Sequence, residues 1–173
     1  MADSTKTALS AGHWALDAAA SSVGIRNKSM WGLVTVKATF AKVSGEGEIL
    51  ADGSASGTLT IDAASVASGK SKLDTHLRSA DFFDVEKFPE FTFAADRVVP
   101  KTADTAEVSG RLTILGKTRP LDFTARTVAA GSDEVALTAE VEVDRSEFGM
   151  TWNRGGMLGS PTTVSLSLRF VRG

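Results

Sequence analysis

Ala106-Glu107-Val108-Ser109-Gly110-Arg111-Leu112-Thr113-Ile114 alternates residue by residue, small or apolar groups on one side and mostly polar groups on the other. Successive side chains of an extended chain point to opposite faces, so this two-residue period describes a strand with one face in a core and one in water. The same period sets Val34, Val36, Ala38 and Phe40 against Thr35, Lys37 and Thr39. It recurs in Leu121, Phe123 and Ala125, in Val135, Leu137, Ala139, Val141 and Val143, and in Val164, Leu166, Leu168 and Phe170. Shorter stretches at His13–Asp17, Ser21–Asn27, Ser56–Asp62 and Glu90–Val98 fit it too. Ala51-Asp52-Gly53-Ser54, Leu115-Gly116-Lys117 and Ala130-Gly131-Ser132-Asp133 carry the glycine and aspartate of turns between them. One-faced alternation belongs to antiparallel sheets. About eight such strands predict an all-β barrel or sandwich. A barrel of that size is wide enough for its own side chains or for one ligand, and periodicity alone leaves the two open.

One segment breaks the pattern. Across residues 70–83, Leu73, Leu77 and Ala80 recur at helical spacing, which predicts a short helix or two helical turns ended before Pro89. From Leu77 to Phe93 the chain concentrates five of its nine phenylalanines, with no tyrosine anywhere. Burying each ring contributes roughly 1.5–3 kcal/mol, so this segment packs on a core or a ligand. His76, Arg78, Asp81 and Asp84 give that greasy stretch a charged edge, the combination an amphiphile site requires.

The 173 residues suit one domain over 13–173, preceded by a flexible segment over 1–12. Net charge is −2 and the cations are scattered, which argues against a nucleic-acid partner. Without cysteine the chain has no disulfide framework, thiolate metal site or cysteine nucleophile. The first twelve residues lack the apolar run of a secretion signal, so the expectation is a cytoplasmic protein. No apolar stretch approaches the ~20 residues of a membrane span. Asp52-Gly53-Ser54-Ala55-Ser56-Gly57 joins two strands and reads as a hairpin turn, not a phosphate loop.

Three motifs follow one another in an order that resembles the YceI-like family of polyisoprenoid-binding, lipocalin-like barrels. They are Asp74-Thr75-His76-Leu77-Arg78-Ser79-Ala80-Asp81-Phe82-Phe83-Asp84 with Phe88-Pro89, Gly110-Arg111-Leu112-Thr113-Ile114-Leu115-Gly116-Lys117-Thr118-Arg119-Pro120, and Val143-Asp144-Arg145-Ser146-Glu147-Phe148-Gly149. Trp14-Ala15-Leu16-Asp17 and Ser21-Ser22-Val23 also fit. The resemblance implies an extended eight-stranded antiparallel barrel, with a short helical insertion near residues 70–83 and a lipid chain inside. In such families the ligand is an isoprenoid, an isoprenoid quinone or a similar amphiphile, and many members are periplasmic. This chain departs from the pattern at Leu73, where arginine is expected, and at Asn27, where histidine or a similar polar residue is common. Without that arginine, an anionic headgroup such as diphosphate is less expected here.

On this reading the ligand-binding residues are Trp31, Phe40, His76, Arg78, Phe82, Phe83, Phe91, Phe93, Leu112, Phe123, Arg145, Phe148, Met150, Trp152, Leu166 and Leu168. His76 either hydrogen-bonds a headgroup oxygen at the mouth or pins the inserted helix to a strand. Phe82, Phe83, Phe88, Phe91 and Phe93 either line the tunnel or fill the core. Adjacent Phe82 and Phe83 cannot both point the same way, so at least one is expected to serve packing. Arg145 is expected to pair with Asp144, Asp74 or Asp81. Met30-Trp31-Gly32-Leu33 and Met150-Thr151-Trp152-Asn153 suit a soft lip or a cover over the barrel end. The expected function is non-catalytic binding of a long apolar amphiphile, with no cofactor and no metal. The alternatives are a filled barrel acting through its surface, or a lipid-modifying enzyme using His76 with Asp74 or Asp81. Transient membrane contact and a dimer are compatible with either binding reading.

Overall fold

A computed structural model describes residues 9–151, 159 and 161–173. Its elements in chain order are β1 (Gly12–Leu16), β2 (Ser22–Ser29), β3 (Val34–Phe40), β4 (Val43–Ile49), β5 (Ala55–Asp62), β6 (Val66–Ala67), α1 (Ser71–Arg78), β7 (Glu90–Pro100), β8 (Thr105–Ile114), β9 (Lys117–Ala129), β10 (Glu134–Asp144) and β11 (Pro161–Arg172). All pairings are antiparallel, and β11 closes the ring. One of its edges bonds β10, while the other bonds β2 through Thr162–Ser167 and β1 through Phe170–Arg172. β1 and β2 are halves of one long strand interrupted by a single 3-10 turn at Ala18–Ala20. β3 and β4 are likewise broken at Ala41 and Lys42, and β5 and β6 at Ala63–Ser65. The eleven segments therefore make a closed barrel of eight bent strands, as the alternation and the motifs predict.

β4 keeps the two-residue period, with Val43 and Ile49 facing in against Ser44, Glu46 and Glu48, but glycines at its two central inward positions weaken the signal, and it is not among the strands expected above. Its inward positions include Gly45 and Gly47. A Cβ at either would lie 2.8 Å from a β5 carbonyl oxygen, that of Thr58 or Ser56. The two backbones approach closely there, and glycine is what permits it.

α1 is shorter than its periodicity suggests, ending at Arg78 rather than near Phe83. Ser79 turns extended, and its hydroxyl donates to the His76 carbonyl at 2.6 Å while accepting from the Asp81 amide at 3.3 Å. A serine that bonds its own backbone in this way competes with helix continuation. The chain then winds through turns to Phe88, held by Phe83 N–H to Leu77 O at 2.9 Å and Asp84 N–H to Ser79 O at 2.9 Å. At the start of the helix, the Asp74 carboxylate accepts from the Ser68 amide at 2.8 Å and its hydroxyl at 2.6 Å, tying α1 to the loop after β6.

The two halves of the barrel are packed differently. Trp14, Ala106, Val108, Ala125 and Val135 are buried and fill one half with side chains. Trp14 also donates its indole N–H to the Ser10 carbonyl at 2.9 Å. The other half, bounded by the β2–β3 hairpin, α1 and the turns after it, is hollow.

Candidate functional site

The hollow half holds a cavity of about 350 Å³, lined by 27 of the described residues. Only Asn27, Ser29, His76, Arg145 and Thr162 among them carry polar side-chain atoms. The walls come from inward positions of the strands: Val23 and Ile25 of β2, Val36, Ala38 and Phe40 of β3, Leu59 and Ile61 of β5, Val141 and Val143 of β10, Val164 and Leu166 of β11. α1 contributes Leu73, His76 and Leu77 as a cover. Along β2 the lining runs from Val23 to Ser29, six residues or roughly 20 Å at ~3.3 Å per residue.

Aromatic rings brace the walls. Phe83 and Phe91 meet edge-to-face at 5.0 Å, and Phe40 adds contacts to them at 5.9 and 5.7 Å. Phe93 lies 5.7 Å from Phe123 and over Gly110, where a Cβ would come within 2.6 Å of its ring. Gly110 is thus the gap in the β8 wall that this ring fills.

Asn27, His76, Arg145 and Thr162 of the lining are engaged with the protein. Asn27 donates to the carbonyls of Lys28 and Gly159 at 3.1 and 3.0 Å, and accepts from the Thr162 hydroxyl. Arg145 is 6% exposed. Its guanidinium donates to Gly159 O at 3.1 Å and Met150 O at 2.7 Å, and burial lowers its pKa. The expected carboxylate pairing is replaced by these backbone bonds, because Asp144 accepts from Ser146, Asp74 from Ser68, and Asp81 sits 2.8 Å from His76 Nε2. Asp144 acts on Arg145 only as a nearby charge. His76 is about a third exposed at its side chain, 34%, with its ring 4.9 Å from Phe82.

A second cleft of about 290 Å³ opens beside the cavity. β9 and β10 pair only from Val135↔Ala129 to Thr138↔Arg126, and beyond that the strands part. Arg119, Pro120, Glu142, Glu147 and Phe148 line the gap, which shares Leu112, Leu121 and Val143 with the cavity. Pro120 has no N–H to give a neighbour and suits this unpaired edge.

Comparison with known proteins matches the YceI-like domain to residues 14–170. The chain belongs to the YceI-like family. Protein YceI of Salmonella arizonae is 33% identical over 102 residues, 56% of this chain and 53% of that protein, so the chain spans about half the length of the curated relatives it matches. BcnA of Burkholderia cenocepacia superposes with a TM-score of 0.81 at 23% identity, covering 89% of this chain and 98% of that one. A polyisoprenoid binding domain from Saccharophagus degradans, implicated in plant cell wall breakdown, gives 0.74 at 17% identity over 92% and 98%. The YceI protein of Campylobacter jejuni gives 0.71 at 23% identity over 79% and 85%. At these identities the structural likeness carries the fold.

Within this YceI-like barrel, Phe40, His76, Phe82, Phe83, Phe91, Phe93, Leu112, Phe123, Arg145, Met150 and Leu166 all line the cavity. Phe82 and Phe83 both reach it, against the expectation that one would not, because they lie in a turn where strand alternation does not operate. Phe88 does not line it and packs at the Gly116 turn instead. Arg78 lies outside the lining, on α1 where its charge acts on Asp74. Phe148 is buried against the neighbouring cleft, and Leu168 is buried in the same core cluster as the cavity walls without lining the cavity. Trp31 is 67% exposed at the β2–β3 tip and is not among the lining residues. Trp152 lies outside the described residues. The wall residues not singled out, such as Ile25, Ile61, Val143 and Val164, are inward strand positions, and the two-residue period was their signal. Leu73, the departure from the expected arginine, forms part of the apolar cover.

Proposed function

We propose that this protein binds the apolar chain of a long amphiphile, a polyisoprenoid or an isoprenoid quinone, and carries or sequesters it without chemical change. The observation that carries this reading is the cavity's lining, 22 of whose 27 residues are apolar, in a half of the barrel that its own side chains do not fill. Each buried methylene contributes ~0.8 kcal/mol, so a chain of several isoprene units has ample driving force even after its ordering cost. The engagement of Asn27 and Arg145 with backbone carbonyls supports a wholly apolar occupant, with the headgroup at the mouth near His76. The Saccharophagus degradans neighbour, a polyisoprenoid binding domain, agrees with that class. The hollow half also counts against a filled barrel acting through its surface alone.

The test is titration of delipidated protein with a fluorescent polyprenol, a quinone and a fatty acid of matched length. Saturable one-to-one uptake with preference for an isoprenoid chain is expected. Absence of uptake for all three would overturn the reading. A second reading rests on the His76–Asp81 contact, which could orient an imidazole as a general base beside a bound chain. Turnover of a bound isoprenoid that His76→Gln abolishes while binding persists would favour it.

A further inference from the structure

The β2–β3 hairpin ends in a group of apolar side chains that the cavity does not use. Met30 is 43% exposed, Trp31 67%, Leu33 85% and Val34 47%. Isolated exposed apolar residues are ordinary, but four in five consecutive positions on one tip are not. The turn is closed by the Leu33 amide donating to Met30 O at 3.1 Å. Met30 and Trp31 hold left-handed φ values of 51° and 55°, a region that bulky residues rarely occupy. Strained backbone that displays tryptophan to solvent calls for a function at the tip.

We propose that the Met30–Val34 tip inserts into the surface of a lipid bilayer and sets the cavity mouth against the headgroup layer. Three observations favour a bilayer over other occupants. The tip continues directly into the site, since Ser29 before it and Val36 just after it line the cavity. The hairpin over residues 22–40 carries no carboxylate, and although Arg26 is paired with Glu140 of β10 at 3.0 Å, Lys28 and Lys37 leave it a cationic surface that complements anionic lipid. Lys28 is exposed at the base of the tip, its ammonium 3.3 Å from the Thr35 hydroxyl, and can reach headgroups while the tip is buried. A tryptophan flanked by such a lysine is the composition of a membrane interface. The patch is also small: four partly exposed side chains fall short of the ~800 Å² that each partner of a stable protein–protein interface buries. The role assigned to docking, passing the amphiphile between membrane and barrel without crossing water, rests on the carrier reading; the insertion itself does not.

The test uses the full chain in flotation with neutral and with anionic phospholipid vesicles. Because the protein has no cysteine, Leu33→Cys carries a single environment-sensitive dye. Binding to anionic vesicles with a blue shift of the dye is expected. Trp31→Ser/Leu33→Ser should lower the bound fraction at least about tenfold. That double variant changes only exposed groups, so its thermal unfolding and its uptake of polyprenol from solution should match the parent. A parent protein that stays with the aqueous fraction for both vesicle types overturns the proposal, as does a double variant that floats equally well. A dye shift that grows with protein concentration in the absence of lipid also overturns it, by assigning the tip to a second copy of the chain. Uptake from solution is read separately, so failure of docking and failure of the carrier reading are distinguishable.

Discussion

Filling the cavity from within should stabilise the protein and abolish its binding. Ala38 sits on β3 opposite Ile25, is 5% exposed and forms part of the cavity wall. Ala38→Phe places a ring into the hollow half. A benzene-sized ring occupies an engineered cavity of ~150 Å³, and a filled cavity recovers ~24 cal/mol per Å³, or about 3.6 kcal/mol. Crowding against the existing rings costs about 1–3 kcal/mol, which leaves a net gain of about 0.5–2.5 kcal/mol in the delipidated protein. At about 2–4 °C per kcal/mol for a chain of this size, the melting temperature rises by a few degrees. The same ring takes more than a third of the 350 Å³, so uptake of a long chain should fall by an order of magnitude or more. Urea denaturation of delipidated protein and titration with a fluorescent polyprenol read the two effects separately. Destabilisation by more than about 3 kcal/mol, with uptake at the parent level, would refute the reasoning, because it would mean that the volume beside Ala38 is not open.

Arg145→Met should leave the carbonyls of Gly159 and Met150 without their donor in a buried setting, costing about 2–4 kcal/mol by urea denaturation; a loss under about 1 kcal/mol would remove its anchoring role. Leu73→Arg should weaken uptake of a neutral polyprenol and raise relative affinity for its diphosphate, read by competition. An unchanged preference would contradict the placement of Leu73 in the cavity cover. Hydrogen bonds from Ser68 hold the Asp74 carboxyl below its ordinary range, Arg111 does the same for Asp96, and Ser146 for Asp144. A depressed folded-state pKa contributes stability above the unfolded value of ~3.9, which is lost as pH falls through the folded value. The urea midpoint should therefore drop below about pH 4, and Ser68→Ala should move the Asp74 titration seen by carboxyl NMR upward. A titration unmoved by that substitution would contradict the assigned cause.

The strands were legible wherever their inward residues carry hydropathy. Val36, Ala38 and Phe40 announce both their strand and their cavity face, because a closed barrel buries one face of every strand. β4 was faint, since only Val43 and Ile49 carry its inward hydropathy, while Gly45 and Gly47 sit inward for reasons of backbone approach. The helix was legible at Leu73 and Leu77 but not at its end, which a single serine hydroxyl decides. Arg145 shows the limit most plainly. Its residue type suggests a carboxylate partner, whereas folding brings it to the Gly159 carbonyl, fourteen residues along the chain. The hollow itself could not be read from the pattern, because the same alternation serves a filled half around Trp14 and an empty one around Phe91.

Native mass spectrometry of the purified full chain, followed by organic extraction and identification of what it releases, tests the central claim most directly. A one-to-one adduct with an isoprenoid mass is expected, displaced from Ala38→Phe and retained by Trp31→Ser/Leu33→Ser. A bare protein mass that stays bare after incubation with polyprenols and quinones would contradict it.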